Sequence, residues 1–194
     1  MSAVDTAALA DRFAVEIDNV EGLSCLPVNR TLAALHAAGL PAVHTEAEAQ
    51  QIIRLLGVDA LMVGTVTAWD PYRPFQLGVA VQLVQAQTTR VAAADVNELT
   101  LATGDQKSAA TQPADDGPLQ VSKVYDANNH DTLTKLADYA AGRNVIKSGL
   151  RANVYTSSMD SYSRFCAYDT VRSLLEIEAA RLGPRAEVVV APTK

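Results

Sequence analysis

Cys25, His36 and His44 are the residues from which a nucleophile could be built, because a thiol beside an imidazole is the minimum for an activated sulfur. Cys25 stands inside the apolar run 22–28 (GLSCLPV) and His36 on the face of a helix-forming segment, so both read as core residues rather than as a catalytic pair. The second cysteine, Cys166, is far away in sequence. With no CxxC and no histidine at ligand spacing, neither a zinc site nor any other cofactor is expected, and two thiols are preferred to one disulfide. No two carboxylates have the spacing of an acid and base couple; Asp59 reads as a turn residue, and Asp126 and Asp131 as helix caps. The segment GVDALMVG lacks the lysine and the glycine spacing of a phosphate loop.

Two other groupings are suited to contact rather than bond chemistry. Arg143, Lys147 and Arg151, with Tyr155 nearby, form a basic cluster that fits a phosphate, a lipid headgroup or an acidic partner; its plainer reading is a solvated turn. Trp69, Asp70, Pro71, Tyr72, Arg73 and Pro74 form a corner in which two prolines fix φ. Trp69, Tyr72 and Arg73 are the side-chain types that dominate interface hot spots. The plainer reading is a hairpin turn, with Asp70 bonded to its own backbone and Tyr72 lying on the sheet.

The elements that position these residues follow from periodicity and caps. Thr45 and Glu48 form a capping box, Ala49, Ile52, Ile53 and Leu56 an apolar stripe, and Gly57 a left-handed stop. The run 60–66 (ALMVGTV) reads as a buried strand. In 75–83, Phe75, Leu77, Val79, Val81 and Leu83 alternate with more polar or smaller residues, which gives one core face. The short link between the two predicts antiparallel pairing. The odd-numbered face is expected to pack against the ridge of Ile52 and Leu56.

Upstream, Asp5 can cap a helix to about Glu16, with Leu9 and Phe13 inward and Glu16 towards water. The run 22–28 reads as a short strand and Asn29 as the cap of a helix over 30–38, with Leu32, Leu35 and His36 as its inner stripe. Downstream, 91–101 reads as a third strand and 102–119, rich in Ala, Gly, Asp, Pro and Gln, as a mobile surface loop. Asn128 or Asp131 can cap a helix to Ala141 striped by Leu133, Leu136, Ala137 and Ala140. Ser157 or Ser158 begins the longest helix, to about Leu182. The VVV run of the tail suits an edge strand or a frayed end. The expected fold is a single α/β domain over 1–194, an α+β sandwich. It has a three- or four-stranded mixed sheet, helices on its faces, a helical annex over about 126–182 and a long C-terminal helix.

A hydrophobic fraction of 48% over 194 residues is enough for one substantial core. The net charge of −6 disfavours a general nucleic-acid or anionic-membrane surface. No apolar run is long enough to span a bilayer, and the start MSAVDTAALADRF lacks a secretory pattern.

The stretch GVDALMVGTVTAWDPYRPFQLGVAVQLVQAQTTR resembles the core of a bacterial envelope lipoprotein family with the pattern GVDAxxVGTVTxYDPYxPPxLGLxLxLVDAxTG after a helix. LPVNRTLAALHAAGL and SSMDSYSRFCAYDTVRSLL resemble the matching flanks, so the likeness runs from about Leu23 to Leu175. That family is similar in fold to the N-terminal domain of the Tol translocation protein, to activator lipoproteins of penicillin-binding proteins and to the core of the curli secretion lipoprotein. These relatives are an adaptor, an enzyme activator and a pore, so the likeness speaks to fold more than to function. Trp69 replaces the usual Tyr, Phe75 replaces a second Pro, and Ala92, Ala93, Ala94 and Asp95 replace a tryptophan-bearing strand. No lipid-anchor cysteine is present.

The resemblance implies a non-catalytic periplasmic domain of a lipid-anchored protein that binds another envelope protein, with no nucleic-acid partner and membrane contact only through the anchor. If Met1 is the natural start, the cytoplasm is implied instead. The alternatives are a self-assembling homo-oligomeric module and, behind it, a small-ligand binder or enzyme.

Overall fold

The computed structural model describes residues 4–86, 119–143 and 151–182. Helix α1 (Thr6–Asp18) is capped by Asp5, whose carboxylate accepts the amide of Ala8 at 2.9 Å. Leu9 and Phe13 are buried, as expected. Glu16 is not turned to water: it is 4% exposed, because the distant Arg143 supplies a guanidinium that pairs with it.

No strand forms over 22–28. The amide of Cys25 donates to the Asp18 carboxylate at 2.6 Å instead of to a ladder, and Pro27, which has no N–H, stands at the N-cap of α2 (Val28–Ala37). Asn29 lies inside that helix and caps nothing. The helix is also rotated from the expected phase: Ala34 is buried, while Leu32 is 49% exposed and His36 is exposed. The expected burial of Cys25 and His36 as a core pair therefore fails.

Helix α3 (Glu46–Leu56) has the full capping box. The Glu48 amide donates to Thr45 Oγ1 at 3.3 Å and the Thr45 amide to Glu48 Oε2 at 2.9 Å. Gly57 ends it at φ 66°, and the chain turns into β1 (Ala60–Asp70). β1 pairs antiparallel with β2 (Gln76–Gln85), with Leu61 opposite Val84 and Val66 opposite Val79. The register shifts between Val66 and Ala68. At this bulge Gly78 is closely approached: a Cβ there would lie 2.9 Å from the Ala68 nitrogen.

The third described strand, β3 (Leu119–Asp126), pairs antiparallel with β2, Val81 opposite Val121. It arises where the loop gives way to the supposed annex. The strand expected over 91–101, most of the loop over 102–119 and the VVV tail lie outside the described residues. The sheet of described strands has the order β1-β2-β3, and its pairs are antiparallel rather than mixed; β1, expected to be buried, is an edge strand in which Leu61 alone is buried while Gly64 and Thr65 are exposed.

Helix α4 (His130–Gly142) is capped by Asn129, whose side chain accepts the Asp131 amide at 2.8 Å; Asn128 and Asp131 do not cap it. Its buried face carries Leu136, Tyr139 and Ala140, while Leu133 and Ala137 are exposed. After the 3-10 turn Arg151–Val154, helix α5 (Met159–Leu182) begins with the Ser158 hydroxyl accepting the Ser161 amide at 3.2 Å. Twenty-four residues give it a length of roughly 36 Å.

The two sheet faces bury different partners. Phe75, just ahead of β2, and the odd-numbered residues Leu77, Val79 and Val81 within it do face inward, joined by Val121 and Tyr125 of β3. They meet Tyr162, Phe165 and Val171 of α5 and Leu9 and Phe13 of α1, not α3. Ile52 and Ile53, with Leu56 beside them, pack on the opposite face, against Leu61 and Val84. The reason is parity: α3 feeds β1 so that Leu61 lies beneath it, and the register carries that side to Val84. The helix read as part of an annex thus supplies much of the main core. Among the described residues no helix is long and apolar enough to cross a membrane.

Candidate functional site

The connection between β1 and β2 places the corner residues at one end of the sheet. Asp70 Oδ1 accepts the Tyr72 amide at 2.9 Å, a local turn bond of the kind expected. Tyr72 itself does not lie on the sheet; at 72% exposed, it has the highest fractional exposure of the exposed large apolar side chains in the described structure. Arg73 Nη2 donates to the carbonyl of Ser157 at 2.6 Å, which ties the corner to the approach of α5. Its guanidinium carbon lies 6.0 Å from the centroid of the Phe75 ring. The Arg73–Pro74 peptide is cis.

Phe75 anchors this corner from below. Its ring is 5.7 Å from that of Tyr162, and its carbonyl accepts the Ala127 amide at 2.9 Å just ahead of α4. Trp69 behaves differently from Tyr72. It lies within β1, opposite Leu77, is half-buried against the main core, and has a buried indole N–H with no partner among the described residues. Trp69 therefore supports the corner while Tyr72 and Arg73 present it.

Beside the corner runs a groove of about 430 Å³, bounded by Arg73, Pro74, Phe75, Ala127, Leu133, Leu136, Asn153 and Thr156. The residues contributed by α4 and the 3-10 turn had no signal in sequence, because they meet the corner only after the chain has crossed the sheet. Leu133, a member of the expected apolar stripe of α4, remains 38% exposed at this groove.

The basic cluster is not assembled as a described site. Arg143 pairs with Glu16 and lies over the rings of Tyr139 and Tyr168, at 4.7 and 5.5 Å from their centroids, so it joins α4 to α1 and α5. Tyr155 packs edge-on to Tyr139 at 5.0 Å. Arg151 opens the 3-10 turn, and Lys147 lies outside the described residues.

A polar cluster that the sequence did not reveal joins β3 to α5. Lys123 Nζ lies 2.5 Å from Asp169 Oδ2 and 2.5 Å from Ser173 Oγ. Tyr125 Oη donates to Asp169 Oδ2 at 3.0 Å and lies 2.8 Å from Thr170 Oγ1. A lysine beside a serine invites comparison with a nucleophile and base. Here, however, the ammonium is engaged by a carboxylate and the Ser173 hydroxyl donates to the Asp169 carbonyl at 2.9 Å, so no lone pair is presented to take the serine proton. Burial pushes the Tyr125 phenol up, which keeps it a donor. The arrangement is a lock between strand and helix.

Cys25 offers no activated thiol either. Burial, and then the Asp18 carboxylate, push it up, and no imidazole bonds to it among the described residues. No family model, curated protein or solved structure matches the chain.

Proposed function

We propose that this chain is a non-catalytic protein-interaction domain of a periplasmic, lipid-anchored envelope protein, and that it docks another envelope protein on the corner formed by Asp70, Tyr72, Arg73 and Pro74. The compartment and the anchor rest on the resemblance of the stretch over 57–90 to the envelope lipoprotein family. One observation carries the docking surface. An exposed tyrosine stands on a turn fixed by the Asp70 bond and by the Arg73 bond to Ser157, with a groove alongside. A large side chain whose backbone is already held loses little entropy on binding, which is the condition that favours an interface anchor.

The test is site-directed photocrosslinking in cells that export the chain to the periplasm. A photoreactive amino acid at Tyr72 is expected to give a discrete adduct with one envelope protein. The same group at Leu55, an exposed position on α3, is expected to give none. Tyr72→Ala should then abolish co-purification of that protein without lowering the unfolding midpoint. Identical adducts from both positions, or none from position 72, would remove the corner from consideration.

A further inference from the structure

Arg73 is the charged residue in a groove otherwise bounded by apolar and neutral polar side chains. Among the described residues its guanidinium makes one hydrogen bond, to the Ser157 carbonyl, and has no carboxylate partner. Asp70, three residues earlier, accepts the Tyr72 amide and forms no ion pair with it among the described residues. The guanidinium has further N–H donors in a planar fork suited to a carboxylate. Below it the groove is apolar, formed by Pro74, Phe75, Leu133 and Leu136, and Asn153 stands exposed at its rim.

We infer that the occupant of this groove is a short partner segment bearing a carboxylate next to a branched or aromatic apolar side chain, the carboxylate on Arg73 and the apolar group between Pro74 and Leu133. This rests on the docking reading and deepens it by naming the chemistry of the partner. Charge complementarity sets the choice, since a basic segment would place like charge against an arginine already held in position. The volume of about 430 Å³ suits a few side chains rather than a folded surface.

A random dodecapeptide library displayed on phage, panned against the full chain, provides the probe. Selected peptides should be enriched in Asp or Glu adjacent to Leu, Ile or Phe. A synthetic copy of the strongest should bind Arg73→Gln roughly tenfold or more weakly, the range of a charge-assisted hydrogen bond. Arg73→Lys should recover part of that loss, which separates charge from the anchoring bond to Ser157. Amide resonance shifts should fall on Phe75, Ala127 and Leu133.

No selection of peptides, selection without acidic enrichment, equal binding to Arg73→Gln, or shifts elsewhere would each overturn the inference. The wider docking reading fails separately. If the Tyr72 adduct persists in cells while Arg73→Gln leaves it unchanged, docking stands and the acidic partner falls.

Discussion

Replacing Asp169 by alanine tests whether the polar cluster between β3 and α5 is a structural lock. The carboxylate accepts from Lys123 at 2.5 Å and from Tyr125 at 3.0 Å, and side-chain exposure is 13% for Asp169 and 24% for Lys123. After Asp169→Ala, Lys123 keeps Ser173 and a backbone carbonyl at 3.3 Å, and Tyr125 keeps Thr170. The loss is the charge-assisted bond from Lys123, about 1.5–3 kcal/mol, plus the part of the Tyr125 bond to the same carboxylate that Thr170 does not replace, about 1 kcal/mol. A total of about 3 kcal/mol follows, at the lower end of the roughly 3–5 kcal/mol for breaking a buried pair, because water still reaches the lysine.

Lys123→Met keeps the aliphatic stem and leaves Asp169 with Tyr125 and with Lys135 at 3.8 Å, so about 1–2 kcal/mol is expected. The double variant strands no charge, and its cost should fall short of the sum of the singles by about 1.5 kcal/mol. Urea unfolding of all four proteins at neutral pH, followed by far-ultraviolet circular dichroism, measures this coupling. Strict additivity, or a cost below about 0.5 kcal/mol for Asp169→Ala, would refute the lock.

Gly78→Ala should destabilise by about 1–3 kcal/mol in the same assay, since the added Cβ meets the Ala68 backbone at the bulge; an unchanged midpoint would show that the bulge yields freely. A thiol reagent at mildly alkaline pH should label Cys25 in the native chain and Cys166, which is fully buried, only after unfolding, as read by intact mass. Acid should weaken the fold through two carboxylates held low: Glu48, below its ordinary 4.5 by the amides of His44 and Thr45, and Asp160, below its ordinary 3.8 by the bond from Arg12. Because their folded pKa values are depressed, their contribution is present above those ordinary values and lost as pH falls through the folded ones. Glu48→Gln with Asp160→Asn should therefore flatten the decline of stability in acid below about pH 4.5. Trp69→Phe should stay within about 1 kcal/mol of the native chain, because the lost ring area is offset by removal of a buried donor without a described partner. A loss clearly above about 1 kcal/mol would show that the two effects do not offset.

What was legible in the sequence is what is locally encoded. The box of Thr45 and Glu48, the stop at Gly57 and the inward odd-numbered residues of β2 each depend on neighbours within a few positions. β3 was illegible because Lys123 occupies one of its inward positions, between Val121 and Tyr125, so the strand does not look half apolar until Asp169 is seen beneath it. Glu16 failed for the same reason: its counter-ion lies on another helix. The phase of α2 is not legible in the sequence because its buried side is carried by Ala34, a residue too small to dominate a hydrophobic stripe. Of the candidate site, Tyr72 and Arg73 were readable as contact residues from type and the flanking prolines. The groove was not, since its far wall belongs to α4 and the 3-10 turn.

Trp69 and Tyr72 show why residue type alone does not define an interface. Both are of the side-chain types enriched at interface hot spots and stand three positions apart, yet one lies in β1 with its ring against the core and the other stands on the turn beyond it. Truncating Trp69 to alanine would remove packing as well as any contact, so loss of binding in that variant would not distinguish a partner surface from a loosened hairpin. Tyr72 is free of that ambiguity because its exposure leaves little intramolecular packing to lose. The rigid presentation of Tyr72 nevertheless depends on what lies below it. Phe75 joins the corner to Tyr162 of α5 and to the Ala127 amide ahead of α4, and Arg73 joins it to Ser157. A contact surface at this end of the sheet is therefore coupled to the packing of α4 and α5. If the corner docks a partner as proposed, substitutions that loosen those helices should weaken that docking without touching the corner, whereas substitutions confined to α3 and the opposite face should not.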